Sequence, residues 1–145
     1  MTKQLLCKSA CAAAAALLLA ASAPAQEPRK PSTPEAEVYI VSPADGAVVS
    51  SPGPGVLGRK GMGGGPAGHE NKGTGPQHQL VDTCLPDLDK PVPASEKHIH
   101  FGGGQTETEL DLEPGEHTLT LLLADFSHVP HKPAVYSKTV TITVE

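Results

Sequence analysis

The clearest pattern in the chain is an alternation of apolar and polar residues in its second half. Between residues 105 and 113, threonines and leucines alternate with acidic residues. The same period of two recurs at Leu119, Leu121 and Leu123, and again over residues 139–144. Such alternation is typical of a strand with one buried face. It predicts three antiparallel strands, of which the first turns its acidic side chains toward solvent.

Shorter β-branched and apolar runs predict further strands. They lie at residues 38–41, 48–49, 77–83 and 98–101. No helical period follows residue 25, and turn residues such as Asp45-Gly46 and Pro114-Gly115 separate the runs. Residues 53–75 hold most of the glycines and are predicted to form a long loop. About seven short strands favour an all-β fold, an immunoglobulin-like antiparallel β-sandwich, with a small barrel as the alternative.

The first 25 residues have the three parts of a secretory signal peptide. Lys3 and Lys8 give a positive start, residues 9–23 are uncharged and apolar, and small residues end the segment at Ala25. The run is shorter than the roughly 20 apolar residues of a membrane-spanning helix. We predict a signal peptide over residues 1–25, a flexible proline-rich tether over 26–37, and one domain over 38–145. The mature protein is then periplasmic or secreted and has no membrane span.

Charge and cysteine content narrow the classes of partner. The chain has a formal charge of −5, which becomes two units more negative once the signal lysines are lost. An acidic chain without a basic cluster is a poor ligand for nucleic acid or anionic membranes. Cys84 is the one cysteine after residue 25, so no intramolecular disulfide is expected, and a buried, inert thiol is its commonest state.

Histidine is the residue type that suggests chemistry, because all seven histidines follow residue 25. His98 and His100 are two apart in a predicted strand, so both side chains leave the same face. His128 and His131 form a second pair in a predicted loop, where Pro130 restricts the backbone. Imidazole nitrogen binds zinc and copper at roughly 2 Å. The two pairs therefore predict a metal site.

Other residues are candidates to assist the two pairs. His78 is a further imidazole, and Met62 is a soft ligand that would favour copper. His69 and His117 are expected to be solvated surface residues. The predicted ligands are His98, His100, His128 and His131, assisted by His78 and Met62, and the predicted ion is copper or zinc.

The histidines also allow a different function. In a non-catalytic envelope module that binds a protein or a glycan, they would be hydrogen-bonded scaffolding. No nucleophile stands in a defensible catalytic context, so a binding protein is favoured over an enzyme. The two functions differ in one distance: nitrogens of the two pairs within about 4 Å of one another favour a shared ion, whereas pairs on opposite faces favour scaffolding.

Several longer strings resemble a known family. They are VYIVSPADGAVVSSP, KGMGGGPAG, HIHFGGGQTETELDLEPGEHTLTLLLAD and HVPHKP. Together they resemble a bacterial family of exported domains, domain of unknown function 4399, over residues 38–145. The family implies no established activity. Its members often carry a run of histidines where this chain has Pro76-Gln77-His78, and only His78 matches that run.

Overall fold

The chain folds into strands that pack as a β-sandwich. The structure is a computed structural model that describes residues 27–65, 68 and 73–145, and these residues contain eleven strands and no helix. The strands are β1 (Glu37–Ser42), β2 (Val48–Val49), β3 (Gly53–Lys60), β4 (Gly63–Gly64), β5 (Thr74–Gly75), β6 (Gln77–Val81), β7 (His98–Phe101), β8 (Glu107–Leu110), β9 (Gly115–Ala124), β10 (Pro130–Tyr136) and β11 (Val140–Val144). The predicted signal peptide lies outside the described residues.

Two sheets form the layers of the sandwich. The smaller sheet has the order β1-β3-β8, and the larger has the order β2-β11-β9-β6-β7, with β10 paired to β9. Neighbouring strands in these sheets are antiparallel except β2 and β11, which are parallel. The all-β sandwich is therefore confirmed, and the immunoglobulin-like topology stays a prediction.

Strand β9 is buried on both of its faces. Leu121 and Leu123 contact Val38 and Leu57 of the smaller sheet in the core between the layers. Leu122 points to the opposite face, because successive side chains of a strand alternate. It is as completely buried as its two neighbours. The larger sheet must therefore be covered on its outer face as well.

The cover is the long connection between β6 and β7. Val92 packs in a cluster with Leu80 and Leu122 on the outer face, and Leu85 and Leu88 pack against that cluster. The proline-rich segment that the sequence marks only as a connection thus closes one side of the sheet. Side chains on the outer face of β6 and β7 lie beside it.

The predicted long loop was wrong in its first third. Residues 53–60 form β3, which pairs with β1 on one side and with β8 on the other. Glycine is a poor strand former in isolation, but here it permits a close approach. A side chain at Gly58 would overlap the ring of Tyr39. Pairing on both edges outweighs the low intrinsic preference of this segment.

The region around β10 also differs from expectation. The sequence predicts a loop there, whereas the structure has an edge strand whose register shifts between Pro130 and Val135. A strand at the edge of a sheet tolerates proline. Part of the predicted tether lies alongside it, because Ser32 donates a backbone hydrogen bond to Lys132, which donates one to Lys30.

Two smaller findings concern the surface. Cys84 is exposed, and not buried as expected, because it lies in the irregular connection after β6. No helix among the described residues is long and apolar enough to cross a membrane.

Candidate metal centre

Three histidines from three separate segments meet on the outer face of the larger sheet. His78 lies on β6 directly opposite His100 on β7, and His128 comes from the loop between β9 and β10. The Nε2 atom of His78 is 3.1 Å from Nδ1 of His100 and 3.1 Å from Nδ1 of His128. The rings of His100 and His128 are 4.2 Å apart between centroids. We call these residues the histidine triad.

His78 is the buried member of the triad. Its side chain is 1 % exposed. Burial lowers the pKa of His78 to about 3, and repulsion from His100 and His128 adds to the effect. The imidazole is therefore neutral at physiological pH. A neutral imidazole keeps the lone pair that a metal ion requires.

His100 is the open member of the triad. It is exposed at the surface, yet partial burial and the neighbouring His128 lower its pKa. Protonation of His100 is thus less favourable than for an isolated histidine. The environment biases this second ligand toward its neutral form as well.

The loop after β9 presents His128 through an unusual backbone. Its φ is +66°, in the left-handed region that non-glycine residues seldom adopt. The carboxylate of Asp125 accepts backbone hydrogen bonds from Ser127 and Val129, and the Asp125 carbonyl accepts one from His128. The carbonyl of His128 in turn accepts one from Val92 in the cover. These bonds hold the imidazole against His78.

The left-handed backbone of His128 should affect the stability of variants at this position. We expect His128→Gly to be more stable than His128→Ala by about 1 kcal/mol, because glycine adopts this conformation without the side-chain clash. Both variants lack the imidazole, so urea unfolding of the two metal-free proteins isolates the backbone effect. Equal stabilities would show that the loop relaxes to an ordinary conformation.

The two nitrogen separations from His78 match those of a shared metal ion. Ligand bonds near 2.0–2.1 Å place adjacent nitrogens about 2.9–3.4 Å apart for bond angles between square and tetrahedral. Both separations from His78 fall in this range, and one donor atom from each triad residue lies within 4.8 Å of the others. Hydrogen bonding alone serves the arrangement poorly, because Nε2 of His78 has one proton or one lone pair for two neighbours.

The matched family covers the whole triad. The family model described as Domain of unknown function (DUF4399) matches residues 56–145, which is more than half of the chain. The chain belongs to the DUF4399 family. No curated protein and no solved structure matches it. Within this DUF4399 chain, the triad and the strands that carry it lie inside the matched residues, whereas β1 precedes them.

The structure divides both histidine pairs of the DUF4399 chain. His98 lies two pair positions from His100 along β7, opposite Leu80, and its Nδ1 is 2.8 Å from the hydroxyl of Ser95. His131 lies on β10, is 3 % exposed, and has two ring nitrogens without a hydrogen-bond partner. One member of each pair therefore reaches the triad and the other does not.

The remaining candidates also lie elsewhere. Met62 is buried in the core between the sheets with Leu57 and Phe101, on the far side of the larger sheet from the triad. His117 bonds to Asp82 at 2.7 Å and to the carbonyl of Glu113 at 2.7 Å. It is partly buried, and not freely solvated as expected. His69 lies outside the described residues.

Proposed function

We propose that this protein is a small exported metal-binding protein, in which His78, His100 and His128 hold one copper or zinc ion. The observation that carries the proposal is the convergence of three imidazole nitrogens at separations of 3.1 Å from a common member. Segments distant in sequence supply them, so local chain geometry does not account for the cluster. The ion would complete a site that the fold has already assembled.

The donor type selects the class of metal. Imidazole nitrogen suits zinc and copper, whereas calcium and magnesium require oxygen ligands. The triad contains no carboxylate. Burial keeps His78 neutral. Metal binding therefore does not require this imidazole to give up a proton. These features support copper or zinc.

The proposed location is the periplasm or the extracellular space. Its support is the pattern of residues 1–25, in which a positive start, an apolar run and small residues follow one another. If the segment is cleaved as proposed, the exported protein begins at Gln26. Mass spectrometry of the protein recovered from the periplasm measures this directly, and an intact Met1 would contradict the proposal.

Elemental analysis tests the metal site. The exported protein, expressed without a histidine tag and with Cys84→Ser to remove its exposed thiol, is loaded separately with copper and with zinc and then desalted. We expect about one ion per chain, which is the stoichiometry of a single three-histidine site. Retention of neither metal after desalting at neutral pH would refute the proposed function.

A further inference from the structure

The triad accounts for three positions around a metal ion and leaves a fourth that no other histidine, cysteine or carboxylate of the described residues fills. Zinc sites are most often four-coordinate, and sites with three protein ligands keep the fourth position for water or substrate. Among residues 27–65, 68 and 73–145, no fourth histidine, cysteine or carboxylate joins the triad. A fourth histidine, cysteine or carboxylate ligand would then have to come from outside the described part of the chain, and otherwise the position is open to solvent.

A surface pocket adjoins the three imidazoles. Its volume is about 320 Å³, and it is lined by the triad together with Pro91, Val92, Pro93 and Ala94. None of these four residues has a side chain that can bind a metal. The two prolines have no N–H, and the N–H of Val92 is bonded to the carbonyl of His128. Residues 91–94 therefore bound the pocket, and none of their side chains fills the coordination position.

The charge of the ligand set favours an anion at that position. Three neutral imidazoles leave the charge of a divalent ion uncompensated, and no carboxylate belongs to the group. A bound divalent ion is the largest local charge in such a site, and it stabilises hydroxide over water. The other residues that line the pocket are uncharged, so none of them competes with the metal ion for an anion.

We infer that the metal ion held by the triad has one open coordination position, which faces the pocket beneath Pro91–Ala94 and binds a small monodentate anion from solution. The inference rests on the proposed function. The anion exchanges with a bound water in a simple ligand substitution, so no electron is transferred. The pocket thus makes the centre a site for a small anionic ligand, in contrast to a closed structural site.

Azide is the probe for the open position, because it is small and anionic and gives a charge-transfer absorption when it binds copper(II). The exported Cys84→Ser protein is loaded with one copper(II) per chain, confirmed by elemental analysis, and titrated with azide. We expect a new absorption that saturates at about one azide per copper, as one open position requires. A copper-loaded protein whose spectrum azide does not change would overturn the inference and leave the proposed function standing.

A pair of variants in the pocket wall tests where the anion lies. Ala94 is exposed and lines the same pocket as the triad. Ala94→Asp places a negative charge there and is expected to weaken azide binding about tenfold or more through repulsion or direct competition. Ala94→Ser is the neutral control and should bind azide like the parent. Equal azide affinity in the two variants would place the anion outside this pocket and overturn the inference.

The remaining outcomes distinguish failure of the open coordination position from failure of the proposed metal-binding function. Failure to retain copper would overturn the inference, and retention of neither copper nor zinc would refute the proposed function as well. Elemental analysis shows this before any azide is added. His69→Ala covers the histidine outside the described residues. We expect it to retain copper and the azide absorption. Loss of copper affinity in this variant would identify a fourth protein ligand and would overturn the open position alone.

Discussion

Replacing His100 with alanine is expected to lower the affinity for copper or zinc at least about a hundredfold, since even residues that only support a metal ligand are worth about 10–100-fold. His98→Ala is expected to change the affinity little. The two histidines leave the same face of the same strand, so the pair is a matched comparison. Of these two residues, only His100 has a ring nitrogen 3.1 Å from Nε2 of His78.

The measurement is a competition titration of each variant against a chelator of known affinity. Both residues lie on β7, the edge strand of the larger sheet, where His100 is exposed and His98 half-exposed. Neither substitution opens a cavity in the core, and circular dichroism of each variant is the check that it folds. An equal loss in both variants would return the site to the adjacent pair that the sequence predicts. Unchanged metal affinity in both variants would mean that the histidine triad is not the metal site.

The division of the pairs shows what spacing in a strand can and cannot predict. The period of two places His98 and His100 on one face, but two such imidazoles share an ion only when both rings turn toward the same point. Here Nδ1 of His98 lies 2.8 Å from the hydroxyl of Ser95, whereas Nδ1 of His100 lies 3.1 Å from Nε2 of His78. The closer neighbour of His100 is His78, directly across the strand pair. That register depends on β6 and β7 pairing, which no local pattern in either segment specifies.

The second pair divides for a different reason. His128 has a left-handed backbone and lies in a loop that is closed by bonds to Asp125, whereas His131 already belongs to β10. The HVPH spacing indicated a rigid turn bearing two imidazoles. It could not indicate that a strand begins at Pro130 and takes the second imidazole away from the first.

Strands in which apolar and polar residues alternate were predictable from the sequence. Strands that form because neighbouring strands pair with them were not. In β9, leucines at every second position indicate the inner face directly, and Leu119, Leu121 and Leu123 are buried as expected. β3 has no such signal, because glycine and proline occupy much of its first half. It is a strand because β1 and β8 pair with both of its edges. Such tertiary pairing is invisible to a reading of composition.

The metal-free protein is expected to lose about 2 kcal/mol of stability through His78 when the pH falls from about 7.5 to about 5. The folded-state pKa of His78 is about 3, far below the ordinary value near 6.5. Between these values the unfolded chain binds a proton that the folded chain excludes. The contribution is fully present above about pH 6.5 and declines steadily as the pH falls toward 3.

His78→Gln isolates this contribution, because glutamine is polar and of similar reach but does not titrate. We expect urea unfolding of the variant, in the presence of a chelator, to show a pH dependence smaller by about 2 kcal/mol over the same interval. His117, whose pKa is raised by the Glu113 carbonyl and Asp82, acts in the opposite direction, since its contribution is lost as the pH rises. It is present in both proteins and cancels. Identical pH dependences would mean that His78 binds a proton in the folded protein as readily as in the unfolded chain. Burial would then not keep the imidazole neutral, and this support for the metal site would be lost.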